Sequence, residues 1–159
     1  MAFHTIKLKN YSNIFEEYVA HEAIIPGSLI ELNSDNEVQK HATAGGNSLP
    51  MFAIEDALQG NGIEDAYATG DQVNVWIPTR GDNVYAILED GENVAIGDFL
   101  ESAGDGYLKK HTADSAGVVE YPAAIVAVAL EALNLTGSSG TAASSGITGF
   151  NKRLKVKIL

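Results

Sequence analysis

The sequence predicts an all-β fold: a single, mainly β, barrel-like domain with internally duplicated hairpins and extended N- and C-terminal arms. Three observations carry this expectation. A fifteen-residue segment occurs twice, 70 positions apart, as residues 27–41 (GSLIELNSDNEVQKH) and 97–111 (GDFLESAGDGYLKKH). Five ungapped positions are identical: Gly27/Gly97, Glu31/Glu101, Asp35/Asp105, Lys40/Lys110 and His41/His111. Two copies are too few for a solenoid and suit a duplicated β-unit inside one domain. Apolar and polar residues alternate with period two in several short runs, the pattern of half-buried strands. Asn, Asp and Gly separate those runs, as turns require. A length of 159 residues fits one domain.

Along the chain, residues 3–9 (FHTIKLK) place Phe3, Thr5, Lys7 and Lys9 on one side and His4, Ile6 and Leu8 on the other. Lysines on one face are a mark of edge strands. Residues 12–25 are expected to begin as a short helix capped by Ser12, with Phe15 and Val19 on one face. A β-series follows: SLIEL, EVQKHA and PMFAIEDA, then QVNVWIPT with Val73, Val75 and Ile77 on one face and Pro78 ending the run. NVYAILED comes after the turn Arg80-Gly81-Asp82, and the second repeat supplies DFLES and GYLKKHT around an Asp-Gly hairpin signal. Residues 123–133 (AAIVAVALEAL) combine helix-favouring alanines with Ile125-Val126-Ala127-Val128, and the similar FAIEDAL in the first half favours a strand. Residues 134–149 are Gly, Ser, Thr and Ala with few large side chains, the composition of a flexible loop. The last run, RLKVKIL, alternates with Leu154, Val156 and Ile158 on one face. Two placements suit it: an arm reaching away from the body, or a last strand returning to the parent sheet.

Ten bases against 21 acids give a net charge of −11, which argues against nucleic acid as a partner. Without cysteine, disulfides and thiolate metal sites are excluded. No apolar run reaches the length of a membrane span, and the N-terminal residues lack the apolar stretch of a signal peptide. The charge is segregated. All 21 acids lie between Glu16 and Glu131, where only Lys40, Arg80, Lys109 and Lys110 offset them; Lys7, Lys9, Lys152, Arg153, Lys155 and Lys157 sit at the ends. Basic ends flanking an acidic body either decorate solvated edges or dock on an acidic surface, of another protein or of the same oligomer.

A search for chemistry finds little. No phosphate-binding glycine loop, zinc-protease motif or nucleophile elbow is present. His4, His21, His41 and His111 lack metal-ligand spacing, and Asp35 and Asp105 read as turn residues rather than calcium ligands. No metal or cofactor is expected. Arg80-Gly81-Asp82 reads as a turn rather than an adhesion tripeptide, and Trp76 as a core or interface residue rather than a ligand platform. An enzyme with its site between subunits and a surface-displayed host- or sugar-binding module remain the rival readings.

The order of segments carries a resemblance. A PGSLIEL hairpin, FAIEDAL, YATGDQVNVWIPTRGDNVYAIL, ENVAIGDFLESAGDGYLKKHT and AAIVAVALEAL, spanning residues 24–133, resembles the capsid decoration, or cement, proteins of tailed bacteriophages. The resemblance implies a β-tulip body of the lambda-decoration type, a homotrimer, and no catalytic residues. It also implies binding to the major capsid protein on the outer surface of the virion head, after synthesis in the host cytoplasm. The chain then divides into an N-terminal arm (1–23), a β-tulip-like body (24–133), and a flexible Gly/Ser loop with a C-terminal β-arm (134–159). The expected capsid or subunit contacts are Phe3, Ile6, Lys7, Leu8 and Lys9 at one end and Lys152, Arg153, Leu154, Lys155, Val156, Lys157 and Ile158 at the other. Both segments alternate apolar and basic residues and flank a body of opposite charge.

Overall fold

The structure is a computed structural model and describes residues 3–11, 13–112, 121–137 and 152–159. Its elements are almost all strands: β1 (Lys7–Lys9), β2 (Phe15–Val19), β3 (Ile30–Leu32), β4 (Val38–Lys40), β5 (Phe52–Ala53), β6 (Gln72–Trp76), β7 (Asn83–Ile87), β8 (Asn93–Val94), β9 (Phe99–Ser102), β10 (Leu108–Lys110), β11 (Ile125–Ala129), β12 (Leu133–Asn134) and β13 (Arg153–Ile158), with one 3-10 turn at Ala57–Gln59. The all-β class expected from the sequence is what forms. The sheets are antiparallel and do not close into a barrel. Ser12, residues 113–120 and most of the Gly/Ser-rich stretch, with Phe150, lie outside the described residues.

Six strands form the largest sheet, in the order β1-β7-β13-β11-β9-β10. The two ends of the chain therefore flank β7. Of the two placements the sequence left open for the last run, the return to the parent sheet is the one adopted. Smaller sheets are β2-β6-β5, β3-β4 and β12-β8. Two apolar clusters form between them. One joins Ile6, Leu29, Phe52, Trp76, Leu100 and the inner face of β13; the other gathers Ile24, Ile30, Val38, Val73 and Val75. Strand β6 serves both clusters: Val73 and Val75 point into the second, and Trp76 points into the first. Alternation along β6 thus reflects two cores rather than a core and solvent. Trp76 is wholly buried, as a core residue.

The expected helix over residues 12–25 does not form. Phe15–Val19 is strand β2, paired along its whole length with β6 from Phe15↔Trp76 to Val19↔Gln72. The four-residue spacing of Phe15 and Val19 fits one face of a helix or of a strand, and pairing to a fixed neighbour decides between them.

The repeat is structural. Strands β3 and β4 pair as Ile30↔Lys40, Glu31↔Gln39 and Leu32↔Val38; β9 and β10 pair as Leu100↔Lys110, Glu101↔Lys109 and Ser102↔Leu108. Each pair in the first copy maps onto its counterpart 70 positions on. Equivalent turn bonds close both hairpins: Asn33 N–H to Glu37 O at 2.9 Å and Ala103 N–H to Tyr107 O at 2.9 Å. Lys40 N–H and Lys110 N–H donate to the equivalent carboxylates Glu22 and Glu92, each at 3.0 Å. Gly27 and Gly97 both adopt positive φ, +96° and +91°, at the entry to each copy.

Candidate functional site

The twelve residues expected at a contact surface divide by position. At the C-terminal end, Leu154, Val156 and Ile158 face the main core and are buried. Lys152 and Arg153 are buried as well. Lys152 makes an ion pair with Asp90. The Arg153 guanidinium donates to Pro26 O at 2.9 Å, Ile63 O at 2.7 Å and Glu64 Oε1 at 3.1 Å. Burial pushes its pKa down and the Glu64 carboxylate opposes that shift. The acidic surface that these two bases meet therefore belongs to the same chain. Only Lys157 is exposed and Lys155 half-buried.

At the N-terminal end Ile6 is buried, and Phe3 and Leu8 pack partly against the core. Phe3 meets the ring of Tyr85 edge-on at 5.2 Å between centroids. Lys7 and Lys9 lie over the rings of Phe15 and Tyr11, at 4.6 and 5.2 Å. Lys9 and Lys157 both register with Asn83 on β7, one from each side. Paired residues on neighbouring strands share a face, so the two exposed lysines stand on one face of the large sheet.

Other sequence candidates take structural positions. Asp82 of the Arg80-Gly81-Asp82 turn is buried, accepting from Tyr11 N–H at 2.6 Å and Thr79 N–H at 2.8 Å, so its carboxylate is committed to the fold. His41 is buried between the two hairpins, with Ser102 Oγ 2.8 Å from Nδ1 and Asn47 O 3.0 Å from Nε2. His111 Nδ1 sits 2.5 Å from Glu101 Oε2, and Lys109 holds the other oxygen of that carboxylate at 3.4 Å. Among the described residues no group of three or more His, Asp or Glu side chains is placed to hold a metal ion. No helix among them is long and apolar enough to cross a membrane.

The sequence did not point to a concavity that the structure forms. A groove of about 760 Å³ runs beside β2, lined by Phe15, Glu16, Glu17, Ile54, Glu55, Asp56, Ala57, Leu58, Asn74 and Lys7. Pairing Glu17↔Asn74 and Phe15↔Trp76 puts Phe15, Glu17 and Asn74 on the groove face of the three-stranded sheet. The 3-10 turn forms the opposite wall. Asp56 caps it by accepting from Gln59 N–H, and Gly60, at φ +81°, closes it. This turn holds Leu58 fully in solvent. Reading residues 12–25 as a helix concealed the β2 edge, and the run FEEYV has no alternation of apolar and polar residues that could have shown it.

No protein-family model matches the chain. No curated protein matches it either. Among solved structures, the chain is similar to the N base of the head fiber protein gp8.5 of bacteriophage phi29. The TM-score is 0.56 with 14% sequence identity, over 93% of this chain and 95% of that chain. The likeness is one of fold, and it extends over nearly the whole of both chains.

Proposed function

We propose that this protein is a structural component of a phage virion. It binds the outer surface of the head as a homotrimer of β-tulip bodies and stabilises the shell by clamping neighbouring major capsid subunits. The observation that carries the reading is the fold shared with a phage head fiber base over 93% of this chain. The resemblance of residues 24–133 to tailed-phage decoration proteins supports it from the sequence side. An acidic, β-rich chain with duplicated hairpins suits a non-enzymatic role in which shape and edges matter more than one reactive site.

Buried residues of the two ends contribute to this role by holding the sheet. Direct contact is assigned to those that reach solvent: Lys7 and Lys9 on β1, with Leu8 partly exposed beside them, and Lys155 and Lys157 on β13. Lysines on a rigid sheet face give charge complementarity, which sets register and on-rate more than affinity. Three such contacts in a symmetric trimer add avidity.

The test is co-sedimentation of the purified chain with undecorated heads of its source particle, followed by electron cryo-microscopy of the pelleted heads. The expected result is saturable binding with density at symmetry axes of the outer surface. Failure to co-sediment, or density of two-fold symmetry, overturns the reading.

A further inference from the structure

We infer that copies of this chain join head to tail in a closed ring: the Leu58 turn of one copy seats on the outer face of the large sheet of the next, over Phe99 and Ile125. This rests on the homotrimer proposed above only for the number of copies in the ring.

The receiving surface follows from register. Val128 pairs with Phe99 on one side and Lys157 on the other, and Ile125 pairs with Glu101. Leu159 N–H, donating to Val126 O, continues the β13 ladder. Paired residues share a face, as do residues two apart on one strand. Phe99, Ile125, Val128 and Leu159 therefore stand on the side of the sheet away from Leu100, Ala127, Val156 and Ile158 of the main core. Phe99 is 50% exposed, and Ile125 and Leu159 are exposed beside it. A single exposed apolar side chain needs no explanation, but a group of them on three adjacent strands marks a contact surface. The same face is basic. Lys9, Lys109, Lys155 and Lys157 stand on it against Glu101, which Lys109 and His111 already hold, and Glu131 just past the end of β11.

The inserting surface has the opposite charge. Leu58 is 100% exposed at the tip of its turn, with Phe15 exposed across the groove. Glu55 and Asp56 lie at the foot of the turn and Glu16 and Glu17 on the facing strand, four carboxylates against Lys7 among the lining residues. The Asp56 cap and the left-handed Gly60 fix the turn before any partner arrives, which lowers the entropic cost of binding.

Charge complementarity names the occupant. Each surface is apolar at its centre, and one is basic where the other is acidic, so the chain itself carries both halves of the contact. The two surfaces have no residue in common, so one copy can offer one while using the other. Two copies of the same surface would instead set carboxylates against carboxylates or lysines against lysines, which disfavours a two-fold contact. Contact between unlike surfaces is heterologous and, where its rotation closes, builds a ring.

The chain has no cysteine, so introduced ones report on this contact alone. The experiment oxidises the Leu58→Cys/Ile125→Cys double variant, free in solution and again with undecorated heads, and reads covalent products on non-reducing gels. Both positions are exposed, and thermal unfolding serves as the folding control. The expected result is covalent dimer and trimer, and nothing larger, in solution or on heads. Leu58→Cys alone and Ile125→Cys alone should stay monomeric, because each cysteine then faces a residue that cannot react. Adding E16K/E17K to the double variant should lower the cross-linked yield at low salt about tenfold, because attraction becomes repulsion. Monomer alone from the double variant in both settings, dimer from either single variant, a ladder running past three copies, or a yield indifferent to E16K/E17K overturns the proposal. Co-sedimentation of the unaltered chain with heads is read separately: if it binds heads while the double variant gives only monomer, this contact is wrong and the virion reading stands. If the unaltered chain does not bind while the covalent trimer forms in solution, the virion reading falls and the contact stands.

Discussion

Residues 3–9 and 152–159 carry the same alternation of apolar and basic side chains, yet the fold uses them differently. Strand β1 contributes three residues at the rim of the large sheet and meets one neighbour. Strand β13 contributes six residues at its centre, bonded to β7 along five of them and to β11 along three. The bases follow the strands. Lys7 and Lys9 rest on aromatic rings at the surface, whereas Lys152 and Arg153 are buried against Asp90 and Glu64. Segregation of charge along a sequence is therefore not segregation in space. Part of the body's acidic surplus, the half-buried Asp90 and Glu64, fastens the last strand.

The largest expected effect tests that fastening. Arg153→Ala removes the donor to Pro26 O, Ile63 O and Glu64, leaving two carbonyls and a largely buried carboxylate uncompensated. Breaking one partner of a buried pair costs about 3–5 kcal/mol, so denaturant unfolding should show a loss of that size. At the other end, Ile6→Ala opens a cavity where a rim strand can partly collapse, and its cost should fall toward the low end of about 2–5 kcal/mol. If Ile6→Ala proves the more damaging of the two, the rim and not the centre anchors the ends, and the comparison fails.

Gly27 joins the two ends and sharpens the contrast. A Cβ there would meet Arg153 Nε and Ile6 Cδ1, each at 3.2 Å, and Tyr85 O at 3.1 Å, at φ +96°. Its counterpart in the second repeat, Gly97, has φ +91° and nothing within 4 Å of a Cβ. Alanine at Gly97 should cost about 1–2 kcal/mol of backbone strain alone. Alanine at Gly27 should cost measurably more, because backbone and two packed side chains must also give way. Equal costs, read from paired melts, would mean that the ends do not press on the first repeat.

How much of this was legible follows from what each feature depends on. The hairpins could be read because their registers are local: Gly27 and Gly97, Asp35 and Asp105, and the Lys-His pairs recur at one offset, and the pairing recurs with them. Strands β6, β7 and β11 could be read because their β-branched runs lie between turn residues. Strand order could not, because period two is the same at a rim and at a centre, and nothing within RLKVKIL names β7 and β11 as its neighbours. The partners of Arg153 lie 89, 90 and 127 positions away in sequence, beyond any local pattern. The groove was hidden for a related reason: it joins β2 to a turn at Leu58 that has no periodicity of its own.

The smallest expected effect concerns the lysines that remain in water. Lys9 and Lys157 register with the same residue, Asn83, from opposite sides of β7, so on this one face the two ends are equivalent. Charge reversal at either is a surface change and should alter the unfolding free energy by no more than about 0.5 kcal/mol. Any contribution to binding an acidic partner surface is separate from stability and is screened by salt, with a Debye length of about 8 Å at physiological ionic strength. Lys9→Glu and Lys157→Glu should thus melt like the parent, while each weakens co-sedimentation with undecorated heads at low salt. High salt should bring the parent down to the level of the variants. The double variant should show no further loss of stability, because the two side chains stand two strands apart. If both single variants bind heads as the parent does at low salt, the ends serve the fold alone. If only one is affected, the face they share is not the contact, and the comparison between rim and centre extends to function as well as to packing.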